Sequence, residues 1–258
     1  MLGNNDHPAQ ITITTGKEKK TFDLYSPEGF ELMSAWWVKA YVNSRLTHEV
    51  TWMGVPIIQF PQDICMMQEL LWKVRPDVIV ECGIAHGGSL VFYASLMELM
   101  GKGRVIGVDV EIRHHNRLAI NNHVMTHRIE LIEGSSIDPQ TAQKVKDRIQ
   151  GAKKVMVVLD SNHSKEHVAQ ELKIYSDMIT EGSYLVAMDG AQALVWDIPL
   201  AKPGWRDDNP LVAIEEFIKQ DKRFVIDGQY NRLKVTSCPK GYLRRLTAEE
   251  MAGRKGKA

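Results

Sequence analysis

The sequence predicts an α/β protein with a mostly parallel sheet, helices on both faces and an antiparallel closing strand. Three observations predict it. From Asp77 onward, apolar runs of strand length alternate with amphipathic segments of helical length, the order from which parallel sheets are built. Near the C-terminal end, RFVIDG and RLKVTSCP are two further apolar runs separated by a turn, the pattern of an antiparallel closing pair. The chain has 258 residues, 44% of them hydrophobic, enough for one domain with a full core.

Residues 1 to 25 are polar and Lys-rich around Lys17 to Lys20, and ITITT reads as an edge strand or hairpin arm. A helix is expected from Pro27, with Phe30, Met33, Trp37, Tyr41 and Ser44 recurring at helical spacing. TWMGVPIIQFP follows, a Gly- and Pro-punctuated connection that either lines a cleft or packs beneath its flanking helices. Pro61 opens a second helix carrying Ile64, Met67, Leu70, Leu71 and Val74. The alternation then runs DVIVEC, a helix from Gly88, RVIGVD, a helix near His114 to His123, RIELIEG and a helix near Pro139 to Ile149. KVMVVLD, a helix from Lys165 to Ile179 and SYLVAMD complete it. The tail EEMAGRKGKA lacks an apolar period and is expected to be disordered.

Composition narrows the function. Net charge is zero, from 32 basic and 32 acidic residues, which favours a small-molecule substrate over a nucleic acid. No apolar run approaches the roughly 20 residues of a membrane span and no leader pattern opens the chain, so a cytoplasmic protein is expected. Cys65, Cys82 and Cys238 form no CxxC pair and read as buried thiols in a reducing compartment.

The ligand site of such a sheet lies beyond the carboxyl ends of its strands, where chain order reverses. The first strand of the alternation ends in ECGIAHGGS, whose Gly83 and Gly87 allow close backbone approach before Ser89. The next strand ends at Asp109, where an acid can accept ribose hydroxyls. The spacing is not GxGxxG, and Glu81 would repel a phosphate but attract a cationic amino acid. S-adenosylmethionine, which carries an ammonium and a sulfonium and no phosphate, fits this edge better than NAD. In EGSSID, Ser135 and Ser136 either bond an adenine edge or belong to the cap of the helix opening at Asp138-Pro139.

WMGVPIIQFPQD, ECGIAHGGS, RVIGVD, RIELIEGSS, VVLDSNHSKEHV, GSYLVAMD and GYLRRL, taken in order over residues 50 to 246, resemble the cephalosporin hydroxylase family of S-adenosylmethionine-dependent methyltransferases, relatives of macrocin and rhamnosyl O-methyltransferases. The resemblance implies a Rossmann-like class I methyltransferase fold with seven strands, O-methylation of a sugar or natural-product hydroxyl, a homo-oligomer and a bound magnesium ion. It divides the chain into an arm and helix covering the cleft (1–60), a methyltransferase domain binding S-adenosylmethionine (61–246) and the tail (247–258). It also implies metal ligands at Asp160 and Asp189, with Asp160 also beside the cofactor, and a general base at His163. Met188 stands where the family places a glutamate ligand, and Met188→Glu is expected to strengthen magnesium binding.

An alcohol with a pKa of roughly 15 needs a base or a metal to attack a methyl sulfonium at neutral pH. His163 supplies a base that Asp160 can orient, and two carboxylates can still hold magnesium with waters. Trp52, Gln59, Trp196, Trp205 and Arg206 are candidates for the acceptor site, the last three on the Pro- and Gly-punctuated segment after SYLVAMD. Competing readings are C- or N-methylation in the same pocket, a NAD-dependent oxidoreductase and a silent binding subunit.

Overall fold

A computed structural model describes residues 9–255. Its N-terminal hairpin pairs β1 (Gln10–Thr15) with β2 (Glu18–Asp23) through a turn at Gly16, as the ITITT pattern suggests. Ser26 caps α1 (Pro27–Asn43) by accepting from the Gly29 N–H, with proline in the first helical turn. The helix forms where expected, but its Phe30, Met33 and Trp37 face outward, together with Trp36. The inner face instead carries Gly29, Ser34 and Val38. A tight hairpin, β3 (Thr51–Trp52) and β4 (Val55–Pro56), leads into α2 (Pro61–Val74).

The sheet then forms in the anticipated alternation: β5 (Val78–Cys82), α3 (Gly88–Leu99), β6 (Arg104–Asp109), α4 (His114–Asn121), β7 (Ile129–Glu133), α5 (Pro139–Arg148), β8 (Val155–Leu159), α6 (Lys165–Tyr175) and β9 (Tyr184–Ala187). After a long connection come α7 (Pro210–Gln220), β10 (Phe224–Ile226), β11 (Tyr242–Arg245) and α8 (Ala248–Lys255). Seven strands lie in the order β10-β11-β9-β8-β5-β6-β7, parallel except for β11. The mostly parallel sheet with an antiparallel closing strand is as expected. One core layer joins the sheet to α2, α3 and α4, the other to α5, α6 and α7. Strands β5, β8 and β9 are buried at every position, which is why they read as unbroken apolar runs.

Two local expectations are corrected. RLKVTSCP is not the closing strand; GYLRRL supplies β11, which pairs with RFVIDG. Lys234 adopts a left-handed conformation, and Asp63 of α2 accepts from the Thr236 hydroxyl, the Ser237 N–H at 2.7 Å and the Ser237 hydroxyl at 2.9 Å. Those side-chain bonds hold residues 236 and 237 to a helix rather than a strand. In the tail, Arg244 pairs with Glu250, whose carboxylate also accepts from the Thr247 N–H. This cap seeds α8 where disorder was expected; residues 256–258 lie outside the described range. Cys65, expected buried, is exposed on α2, while Cys82 and Cys238 are buried.

Burial pushes Asp63 up to about 6 against the pull of its three donors. Asp63→Ala strands those donors, and urea unfolding at neutral pH should show a loss of about 3 kcal/mol.

Candidate active site

The site grows from the point where chain order reverses, between β5 and β8. Gly83 leaves β5 with φ +86°, and a Cβ there would lie 2.2 Å from the Asp160 carbonyl oxygen. Only glycine admits that approach. The Gly83 N–H donates to the Val108 carbonyl and the Asp160 N–H to the Cys82 carbonyl, both at 2.8 Å, so the ends of β5, β6 and β8 are tied together.

Three cavities open around this knot. One of about 480 Å³ is lined by Gly83, Asp109, Ser135, Ser136, Asp160 and His167, among others. A second, of about 200 Å³, has Gln59, Gly83, Ser89, Asp160, His163 and Asp189 on its wall. A third, of about 440 Å³, brings His163, Gln192, Lys202, Trp205 and Asp208 together. Another hollow, about 740 Å³ between α6 and α7, contains none of the groups singled out from the sequence.

Most sequence-selected residues therefore converge. Asp109 is held by the N–H groups of Ile84 at 2.9 Å and Glu111 at 3.2 Å, with lone pairs left over for a ligand. Asp138, not a serine, caps α5, so Ser135 and Ser136 are free of the capping role. Two of the residues selected for cofactor binding do not line any of the three cavities. Gly87 begins α3 in a left-handed conformation, where a Cβ would strike Ile120. Glu81 lies fully buried beneath Ser89, whose hydroxyl donates to it at 2.6 Å, and its other oxygen has no partner. Burial, only partly offset by Ser89, pushes Glu81 up to about 8.

His163 stands between two acids, its Nε2 3.0 Å from Asp189 and 3.8 Å from Asp160. Burial and the facing Asp189 charge push Asp160 well above the usual carboxylate range. The His163 Nδ1 meets the Gln192 amide at 2.9 Å. Sequence reasoning missed Gln192, although it lies three residues after Asp189 in the same helical turn; its sequence signal is that spacing alone. Asp160, His163 and Asp189 offer three donor atoms mutually within 4.8 Å, a set that fits a divalent cation.

Met188 does not face this cluster. It is buried in the core, where its Sδ accepts from the Cys238 thiol at 3.1 Å. Trp52 is also structural: its indole N–H donates to Ser95 at 3.0 Å and its ring packs edge-on against Phe92. Gln59 is buried at a cavity wall with an unpartnered amide nitrogen. Trp196 is exposed with the Arg206 guanidinium 5.0 Å above its ring.

The family described as rhamnosyl O-methyltransferase/CmcI matches residues 44–246. The chain belongs to this family. It is an S-adenosylmethionine-dependent methyltransferase, as the sequence led us to expect. A rhamnosyl O-methyltransferase of Mycobacterium bovis is 29% identical over 217 residues, covering 80% of this chain and 82% of that protein. One from Mycobacterium leprae is 30% identical over 155 residues, covering 58% and 65%. A solved structure of CmcI with Mg and SAM shares 22% identity and a TM-score of 0.57 over 78% of each chain, a likeness of fold. The rhamnosyl O-methyltransferase/CmcI fold thus accounts for the seven-stranded sheet.

The unpartnered Gln59 amide nitrogen, a donor on the wall of the small cavity, and the glycine-lined turn suit the carboxylate end of the cofactor's amino acid. In the ligand-free protein, the Glu81 carboxyl is near 4.5 when unfolded and about 8 when folded. Its contribution to stability is therefore complete below about pH 4.5 and is lost as pH rises through 8. Unfolding measured at pH 5 and pH 9 should show Glu81→Gln abolishing a loss on the order of a few kcal/mol. Met188→Glu buries a charge beside Cys238. It should cost about 3 kcal/mol or more in chemical unfolding, with no calorimetric gain in magnesium affinity.

Proposed function

We propose that the protein transfers a methyl group to a hydroxyl of a sugar or sugar-bearing natural product, with His163 as general base. The observation that carries this reading is the position of His163, which lines both the small cavity with Asp160 and Asp189 and the larger one with Trp205 and Lys202. The family's rhamnosyl O-methyltransferases point to a glycosyl hydroxyl as acceptor. Trp205 beside polar Asn162, Gln192 and Asp208 is a lining suited to a ring with one apolar face.

S-adenosylmethionine supplies an electrophilic methyl on its sulfonium, and the cavity holding Gly83, Asp109, Ser135, Ser136 and Asp160 is where this chain would bind it. Asp160 and Asp189 would hold a magnesium ion, which on binding acidifies an acceptor hydroxyl. His163 accepts the hydroxyl proton as the O–CH3 bond forms and the sulfonium S–CH3 bond breaks. Gln192 holds the ring by Nδ1, and its amide oxygen can accept from Nδ1–H when Nε2 serves as the base. The resulting imidazolium lies against Asp189 and Asp160. In-line geometry comes from tying the cofactor wall and the base to the same strand ends.

Residues 1–60, of which 1–8 lie outside the described range, are proposed as an arm and cover to the 61–246 catalytic domain, supported by Val38 and Tyr41 of α1 packing with Phe60, Val195 and Trp205. A homo-oligomer is proposed, for which the exposed Phe30, Met33, Trp36 and Trp37 give the support. A cytoplasmic location without nucleic-acid partners is also proposed. No helix among the described residues is long and apolar enough to cross a membrane.

His163→Ala should lower kcat by about 100-fold or more while S-adenosylhomocysteine affinity, measured by calorimetry, stays within about twofold. Unchanged turnover would assign His163 to structure.

A further inference from the structure

We propose that a partly buried chain of four residues, Glu171, Ser161, His167 and Ser136, fixes the Ser136 hydroxyl as a donor to a ring nitrogen of the cofactor's purine. His167 and Glu171 would then be positioning residues for adenosyl recognition. The inference rests on the cofactor assignment above.

A count of hydrogens along the chain gives its direction. Glu171 is fully buried; one oxygen accepts from the Ser161 hydroxyl at 2.6 Å and the other has no partner. Ser161 has committed its single hydrogen, so it has only lone pairs to offer His167 Nε2, 3.1 Å away. Both serine contacts are hydrogen bonds only in the tautomer that carries a hydrogen on Nε2, which is the tautomer proposed. The Ser136 oxygen lies 3.1 Å from the same Nε2 and in that tautomer accepts from it, sharing the hydrogen with Ser161. The hydrogen of Ser136 is left over, on a side chain that lines the 480 Å³ cavity.

The surrounding structure holds this chain in place. Ser164 caps α6, and His167, Glu171 and Tyr175 follow at intervals of four along one face of that helix. The Tyr175 hydroxyl donates to the Ser136 carbonyl at 3.0 Å, fixing the backbone that carries the terminal hydroxyl. No Lys or Arg pairs with Glu171 among the described residues; its one ion-pair contact is His167 Nε2, at 3.4 Å.

A fixed donor selects its ligand atom. Asp109 in the same cavity is an acceptor suited to ribose hydroxyls. The acceptor-only atoms of the purine are its ring nitrogens N1, N3 and N7, and an unshared Ser136 hydrogen matches one of them. Without His167, the Ser136 hydroxyl loses its fixed donor partner and can turn to serve as an acceptor instead.

The test is calorimetric titration of the full chain with S-adenosylhomocysteine and its 1-deaza, 3-deaza and 7-deaza analogues. The wild type should bind one analogue about five- to tenfold more weakly than the parent. Ser136→Ala and His167→Ala should each weaken the parent by a similar factor and no longer discriminate against that analogue. His167→Gln, which keeps a donor, should restore part of the discrimination, and the variants should raise KM for S-adenosylmethionine with kcat preserved. Wild-type affinities for all four ligands in His167→Ala, or an equal loss for all four, would overturn the proposal. A wild-type protein that binds none of the four overturns the cofactor assignment, and this inference with it.

Discussion

The site depends on one close approach, between Gly83 and the backbone of Asp160. A side chain at Gly83 would collide with the Asp160 carbonyl, so glycine there sets the distance between the turn after β5 and the turn after β8. One turn carries the glycine-lined cofactor wall and the other carries Asp160, Ser161 and His163. Moving them apart would separate the cavity proposed for the methyl donor from His163, the proposed base. The two hydrogen bonds at 2.8 Å that flank this contact tie it to β6 as well, which places Asp109 in the same rigid frame. A loop-borne site thereby gains the precision of the sheet beneath it.

Negative charge collects around that frame in a chain whose net charge is zero. Glu81, Asp109, Asp160, Glu171 and Asp189 all lie at or beneath the strand ends, and no lysine or arginine among the described residues forms an ion pair with any of them. Desolvation of unpaired carboxylates is costly, and it is visible in the upward shifts of Glu81 and Asp160. A ligand carrying ammonium and sulfonium charges relieves this cost, whereas a dinucleotide's pyrophosphate adds to it. The electrostatics of the pocket thus give the same preference as the absence of GxGxxG, through independent physics.

The sheet was legible because its strands are buried on both faces and bounded by turn residues, so β5 to β9 stood out as apolar runs. Asp109, Asp160 and His163 were legible for a related reason: polar residues that abruptly end such runs mark the carboxyl edge. RLKVTSCP failed because its apolar content suggested a strand, while Asp63, more than 170 positions away, captured Thr236 and Ser237. Glu81 and Met188 failed on direction. Sequence places both at strand ends, but whether a side chain turns to the cavity or the core depends on backbone dihedrals that composition does not encode. For the same reason α1 was found while its outward-facing aromatic stripe was not distinguished from its buried one.

The direction of Met188 has its cause one residue on. Asp189 is left-handed at φ +56°, a conformation that costs a non-glycine residue on the order of 1 kcal/mol or more. At this bend Met188 lies among Cys238 and Tyr242 in the core while Asp189 faces His163. The bend is held from behind: the Ala191 N–H donates to the Ser237 carbonyl at 3.0 Å, and Ser237 is itself held by Asp63. Ala85, which lines the same cavity as Asp189, is left-handed too, at φ +44°. Five other non-glycine residues among those described are left-handed as well, so the conformation alone does not mark a site; what sets Ala85 and Asp189 apart is that both line the same small cavity. Their placement is what a preorganised site requires: strain held by packing so that Asp189 meets its partners without rearrangement. A methionine at position 188 is then compatible with an acidic pair at this site, because the backbone still delivers Asp189 from this strand end to join Asp160 at the other.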